Sequence, residues 1–245
     1  MSNSATTNAR SVIAACERPD AYATQSESAY AAIREDILAG KLEPGRKLLL
    51  GKLCDQYGVG SSPLREALSR LAGERLVLAQ GQRGYWVAAM SEVEFNDITD
   101  MRLLLEPEAL RRSITHATLE WEGGVAAAFH RLSRIEATLD TDPKGLSREW
   151  ELENRAFHLA LIDNCGSPSL LRFVTSIAEL SERYRRQSVS LRAVPKETLM
   201  LEHKAIFDAA MQRNAGLATE LLKVHLKNSA NAIAGALFAK APKTA

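Results

Sequence analysis

The chain has 245 residues, of which 46% are hydrophobic, and a formal charge of +1; that is ordinary for a globular protein and long enough for two compact domains. No apolar run reaches the roughly 18 to 20 residues that span a bilayer, and the opening MSNSATTNARSVIAACERPD lacks the basic-then-apolar layout of a signal peptide, so the expected location is the cytoplasm. Three widely spaced cysteines, Cys16, Cys54 and Cys165, form neither a disulfide framework nor a zinc knuckle.

Residues 1 to about 28 are rich in Ala, Ser, Thr and Asn without apolar periodicity and read as a flexible tail. A first helix then places Tyr30, Ile33 and Ile37 on one face and ends at Gly40, and the pair Pro44-Gly45 reverses the chain. A short second helix, GKLCDQYG, stops on Gly58, and Ser62-Pro63 is the expected cap and first turn of a third, PLREALSRLAGERL. LVLAQGQRGYWVAA follows as two short strands around a Gly-Gln-Arg-Gly tip.

After Met90 the strand signals stop. Ser91 to Glu94 is a capping-box pattern opening a helix to about Arg112, with Val93, Ile98, Met101, Leu105 and Leu110 in its apolar pattern. Helical runs follow at about Trp121 to Leu139, Leu146 to Cys165, Pro168 to Ser190, Pro195 to Gln212 and Leu217 to Ala239. The first of these is separated from its predecessor at Gly123-Gly124 or the turn before it. The expected fold is mainly α: a winged helix-turn-helix over residues 29–89 and an all-α antiparallel bundle over 90–240.

Residues Ala29 to Ala89 hold nine Lys and Arg against six Asp and Glu, whereas the rest, from Met90 on, holds twenty against twenty-one. The basic excess thus belongs to the segment with helix-turn-helix layout, whose third helix is placed to enter a major groove of duplex DNA. Ser61, Ser62 and Arg65 fall at that helix's first turn, where hydroxyls and a guanidinium reach base edges or phosphates. Arg83, with Gly84 beside it at the hairpin tip, suits a backbone or minor-groove contact. Taken singly, Arg65 and Arg83 also read as solvated charges and Ser62 as a simple cap.

The stretch IREDILAGKLEPGRKL…LCDQYGVGSSPLREALSRLAGERLV…QRGYWVA resembles the N-terminal domain of the GntR family of bacterial regulators. Members of that family commonly carry Thr at the position of Ser62 and Arg at that of Ser61. The resemblance implies homodimers reading an inverted repeat, with specificity leaning on Arg65, the hydroxyls and the wing.

In the second half, ELENRAFHLALI sets Asn154 and His158 one helical turn apart, His203 opens an apolar face with Ile206 and Phe207, and His225 follows Leu221 by a turn. Spacing leaves two readings open: three separate core histidines, or a cluster for a divalent metal such as zinc or nickel completed by an amide oxygen. RLLLEPEAL, ENRAFHLAL, GSPSLL, LEHKAIFDAA and the late His225 resemble the FCD ligand-binding domain of the FadR-type branch of the same family. That resemblance implies a metal held by Asn154, His158, His203 and His225, with Asn in the place of a more usual Asp.

Arg102 offers a two-point fork to an effector carboxylate, and pairs equally well with Glu106 at i, i+4. AAFHRLSR, CGSPSLL and ERYRRQS resemble the carbon-starvation-induced regulators, a subgroup associated with glutarate-type dicarboxylates. The expected protein is a metabolite-responsive transcriptional repressor, not an enzyme. Two alternatives stand beside it: a metal sensor without an organic effector, and a metal-dependent enzyme, which lacks an obvious general base or nucleophile near the proposed ligands.

Overall fold

The computed structural model describes residues 24–143 and 145–239; Cys16 and residues 1–23 of the expected tail lie outside that range. The first helix, α1 (Gln25–Leu38), begins five residues earlier than the apolar pattern indicates. Thr24 and Glu27 close a capping box around its start, Glu27 N–H donating to Thr24 Oγ1 at 3.2 Å and Thr24 N–H to Glu27 Oε2 at 2.8 Å. The signal lies in polar residues, which an apolar-periodicity reading passes over.

Helix α2 (Leu50–Tyr57) ends at Gly58 with φ 64°, the left-handed conformation a glycine cap supplies. Helix α3 (Ser61–Gly73) is capped by Gly60, not by Ser62 as expected, and has no side-chain cap bond. Ser61 and Ser62 are therefore the first two helical residues, both exposed and with hydroxyls not spent on capping. Ile33, Leu64, Leu68 and Leu71 fill the core between α1 and α3.

The sheet has three strands, β1 (Lys47–Leu48), β2 (Val77–Ala79) and β3 (Tyr85–Val87), in the order β1-β3-β2 and wholly antiparallel. Val77 pairs with Val87 and Ala79 with Tyr85 in the wing, and Lys47 pairs with Trp86 on its other side. β1 escapes the sequence reading because two residues carry no alternation to detect. The expected wing tip turns as one 3-10 segment, Gly81–Arg83, and Gly84 follows with φ 105°.

Six helices form the second half: α4 (Glu92–Thr115), α5 (Leu119–Glu136), α6 (Ser147–Ile162), α7 (Pro168–Ser190), α8 (Lys196–Met211) and α9 (Ala215–Phe238). α4 packs on α9 and α7, and α5 packs on α6 and α8. Leu110, Leu132, Phe157, Leu161, Ile206 and Leu222 are fully buried between them.

Two expectations fail here. Val93 is 80% exposed instead of facing the core. Only half of the capping box at Ser91 forms: its hydroxyl accepts from Glu94 N–H at 3.3 Å, while the Glu94 carboxylate turns to Tyr184 and Arg183 of α7. Of the two places open for the break ahead of α5, Gly123-Gly124 or the turn before it, the structure takes the turn: Thr118 caps the helix and both glycines sit inside it.

A Cβ at either of these glycines would meet nothing within 4 Å. Gly in a helix interior costs up to about 1 kcal/mol relative to Ala. Gly123→Ala together with Gly124→Ala is thus expected to add about 1 to 2 kcal/mol of stability, seen as a higher denaturant midpoint at unchanged slope. A lower midpoint would show that these positions need the glycine backbone.

Candidate DNA interface and ligand cavity

At the start of α3, Ser61, Ser62 and Arg65 are all exposed, and Leu64, Ala67 and Leu68 turn the opposite face into the core. Arg83 is exposed at the wing tip, and neither its side chain nor that of Arg65 makes a hydrogen bond or ion pair among the described residues. Free N–H groups at the helix start favour phosphate, and an unpaired guanidinium is available to a base edge or a phosphate without first breaking a protein contact.

In the helical half, the rings of His158, His203 and His225 converge. Their centroids lie 5.6 Å (158 to 203), 5.4 Å (158 to 225) and 4.6 Å (203 to 225) apart. One ligand nitrogen from each falls within 4.8 Å of the other two. α6, α8 and α9 each supply one ring, so the cluster exists only once the bundle has packed.

Two carboxylates that the sequence reading missed orient these rings. His203 Nδ1 lies 2.7 Å from Glu136 Oε1, both fully buried, and His225 Nδ1 lies 2.7 Å from Glu202 Oε2, whose other oxygen accepts from Asn228 at 2.6 Å. A carboxylate on Nδ1 fixes the proton there and leaves the Nε2 lone pair free, the arrangement typical of metal-ligating histidines. His203 Nε2 is buried with no hydrogen-bond partner among the described residues, a cost that a metal ion would remove.

Burial comes first, and then the repulsion that a proton on His158 would meet from protons on the adjoining His225 and His203 rings and from the Arg102 and Arg185 guanidiniums, in holding the His158 imidazole well below its usual pKa. Burial and His203 also lower His225, against the pull of Glu202. Both shifts favour the neutral ring, the form that binds metal.

Asn154 is buried one turn before His158 and lines the same cavity as His158 and His225. The cavity offers about 30 Å³ to the centres of water-sized groups. Arg102 and Arg185 also line it. Arg102 donates through Nε to Glu106 Oε1 at 2.6 Å and weakly through Nη2 at 3.5 Å, which leaves Nη1 unengaged among the described residues. The Glu106 pair and a place in the cavity, alternatives in the sequence, coexist.

Arg185, which no spacing rule singles out, is held by Glu151 through Nε at 2.9 Å and Nη2, by Ser181, and by the Ala178 carbonyl at 3.0 Å. Its signal is the run Glu182-Arg183-Tyr184-Arg185-Arg186, four charged residues about a tyrosine that the structure buries all round α7. A helix so charged is buried only if each charge has an assigned partner.

Arg183 pairs with Glu94 of α4, and the partners of Glu182 and Arg186 belong to α1. Arg34 Nη2 donates to Glu182 at 2.6 Å, and Arg186 donates to both oxygens of Glu35 at 2.9 and 2.5 Å. One helix thus touches the histidine cavity through Arg185 and Ser188 and the first helix of the winged segment through Glu182 and Arg186.

Comparison with known proteins places both halves. The family described as bacterial regulatory proteins, gntR family, matches residues 25–87, and the FCD domain family matches residues 97–228. An uncharacterized HTH-type transcriptional regulator, BphR of Paraburkholderia xenovorans strain LB400, is 38% identical over 207 residues, covering 84% of each chain. The HTH-type transcriptional repressor GlaR of Escherichia coli K12 is 39% identical over 202 residues, covering 80% of this chain and 90% of GlaR.

The fold is shared with a GntR regulator structure from Rhodococcus sp. RHA1, at TM-score 0.68 and 21% identity over 86% of this chain and 98% of that one. Escherichia coli McbR/YncC gives TM-score 0.65 and 16% identity, over 86% and 97%. Among the described residues no helix is long and apolar enough to cross a membrane. The two matched domains are those of DNA-binding transcription regulators, not of an enzyme. The chain belongs to the GntR family of bacterial regulators and carries an FCD domain as its second half.

Proposed function

We propose that this regulator is a homodimeric repressor that reads an inverted repeat and is controlled by a small carboxylate, of the glutarate type, bound with a divalent metal in the histidine cavity. The observation that carries this reading is the double role of α7. Arg185 and Ser188 face the cavity, while Glu182 and Arg186, on the neighbouring stripe, hold α1. A ligand that redirects Arg185 acts on the same helix that positions the winged segment, which gives it unequal affinity for DNA-competent and DNA-incompetent states.

Asn154, His158, His203 and His225 would hold the metal, zinc or nickel by donor type. Bound there, the ion supplies a positive anchor for one effector oxygen. Arg102, through its unengaged Nη1, anchors the carboxylate from the side. The neutral Asn154 in place of a carboxylate makes the site weaker in charge, so that effector and metal would bind best together. Exposed Phe173 and Leu201 leave apolar surface on the helical half for a partner copy. The domain limits that go with this reading are residues 29–89 for the DNA-binding unit and 90–240 for the effector and dimerisation unit.

The repressor sense follows the name of the Escherichia coli relative. Operator affinity measured by gel shift, with metal present, is expected to change when saturating glutarate or a related diacid is added. No change with any small carboxylic acid, with or without metal, would remove the effector half of the proposal. The small cavity favours a second reading, a metal sensor without organic effector, since about 30 Å³ holds an ion with a couple of waters more readily than a five-carbon acid. Metal alone would then change operator affinity and the acids would add nothing.

At the DNA, Ser61, Ser62, Arg65, Arg83 and Gly84 form the proposed contact set. Arg65→Ala is expected to weaken operator binding by about 1 to 3 kcal/mol and to relax preference at one base pair. A phosphate-only role predicts instead a uniform loss over all sequences and a salt slope shallower by about one. Wild-type affinity and slope together would remove Arg65 from the interface.

A further inference from the structure

The last turn of α3 is tied to the helical half through one guanidinium. Arg34, on α1, donates through Nη2 to Glu182 of α7 at 2.6 Å and through Nε to Glu74 at 3.3 Å. Glu74 is the C-cap of α3. Three side chains thus join a helix of the second half to the helix proposed to enter the groove.

Glu74 sits where α3 ends and the wing begins. Its N–H closes the helix on the Arg70 carbonyl, Arg75 turns the chain with φ 58°, and Leu76 N–H donates back to the Leu71 carbonyl just before β2. A carboxylate at a helix C-terminus faces the negative end of the helix dipole, and it is stabilised there by a cation or a donor. Arg34 supplies the cation. The Tyr30 hydroxyl donates to the other oxygen, Glu74 Oε1, and the Arg70 guanidinium lies over the Tyr30 ring, 4.1 Å from its centroid.

The other cations of α7 do not stand in for Arg34. Arg183 is paired with Glu94, Arg185 with Glu151 and Arg186 with Glu35. Glu182 is buried, and among the described residues Arg34 is the one group that donates to its carboxylate. One cation is therefore shared by two carboxylates from different halves of the chain, a task suited to the planar fork of arginine.

We propose that Arg34 is a positioning residue for DNA binding, a bridge through which α7 sets the junction between α3 and the wing. It acts through Glu74, at the far end of α3 from the exposed first turn. Glu182 precedes Arg185 by three positions on α7, so a displacement of α7 at the histidine cavity reaches Arg34 and, through it, Glu74. That use of the bridge rests on the effector reading; the bridge itself does not.

The test is amide hydrogen exchange of the full chain with neither metal nor acid added, so its outcome is separate from whether an effector exists. In Glu182→Gln, a shape-conserving change on α7, the amides of Glu74, Arg75 and Leu76 are expected to exchange at least fivefold faster than in the wild type, with that of Leu132 in α5 unchanged. Arg34→Gln should give a rise at least as large, and adding Glu182→Gln to it should give no further one, because the link is already gone. Glu179→Gln breaks a different ion pair of α7, with Arg155 of α6, and should leave the three amides as they are. Gel shifts on a duplex selected by the wild-type chain from random sequence should show binding at least threefold weaker in Glu182→Gln and Arg34→Gln, and unchanged in Glu179→Gln. Unchanged exchange at the three amides in Glu182→Gln would overturn the bridge. So would an equal rise at Leu132, an equal rise in Glu179→Gln, or a double variant that exceeds Arg34→Gln. Wild-type or tighter duplex binding in both Glu182→Gln and Arg34→Gln would overturn its part in DNA binding.

Discussion

Replacing His203 by alanine is expected to abolish stoichiometric binding of zinc or nickel and to cost about 3 to 5 kcal/mol of stability. The size comes from what the imidazole leaves behind. Glu136 is fully buried, its Oε1 lies 2.7 Å from His203 Nδ1, and its Oε2 has no partner among the described residues. Among the described residues the one other donor to it, Trp150 Nε1, stands at 3.4 Å. Truncation strands a carboxylate in an apolar interior beside Phe157, whose ring meets that of His203 edge-on at 5.6 Å. The double variant Glu136→Gln/His203→Ala separates the two effects: it should recover part of the stability and none of the metal. Elemental analysis of purified protein is the direct reading. Metal that binds only the native state stabilises it by about 2.7 kcal/mol at a hundredfold excess over Kd, so wild type alone should show a zinc-dependent rise in melting temperature. Equal metal content in wild type and His203→Ala would exclude the cluster.

Much of this architecture is written in local sequence. Ser167-Pro168 gives α7 a cap and a rigid first turn, and its observed span, Pro168–Ser190, is the one that pattern predicts. The three histidines are legible as a group only because Asn154 and His158 share a helix face and the other two open or extend apolar stripes. The partners that orient them are not. Glu136 continues the buried stripe Val125, Ala128, Leu132 of α5 at helical spacing, and an acid on such a stripe is the available signal of a buried pair. Glu202, adjacent to His203, serves His225 of another helix instead, a choice made by packing. Likewise the ion pairs of α7 with α1 join residues about 150 positions apart, and no local rule links them. The winged half shows the converse: its helices follow from caps and glycines, but the two-residue β1 is a strand only because β3 is there to pair with it.

The second large effect is expected at Arg102, where Arg102→Met should reduce the response of operator binding to a carboxylate effector by about thirtyfold or more, a loss of at least about 2 kcal/mol. The single change also leaves Glu106, 4% exposed, without its cation and 3.7 Å from His158 Nδ1. The freed carboxylate would then draw a proton onto His158 and against the metal, so a fall in response alone would not assign Arg102 to the effector. Arg102→Met with Glu106→Gln removes both charges and keeps the side-chain lengths. In that pair the metal content and the effector-free operator affinity should stay near wild type, because neither residue reaches the DNA half or donates to the metal. Only the effector response should be lost. Arg185 offers no such clean test, since its bonds to Glu151, Ser181 and the Ala178 carbonyl make it part of the frame. Arg102 has one guanidinium nitrogen uncommitted, and a wild-type effector response in the double variant would show that the carboxylate is recognised without it.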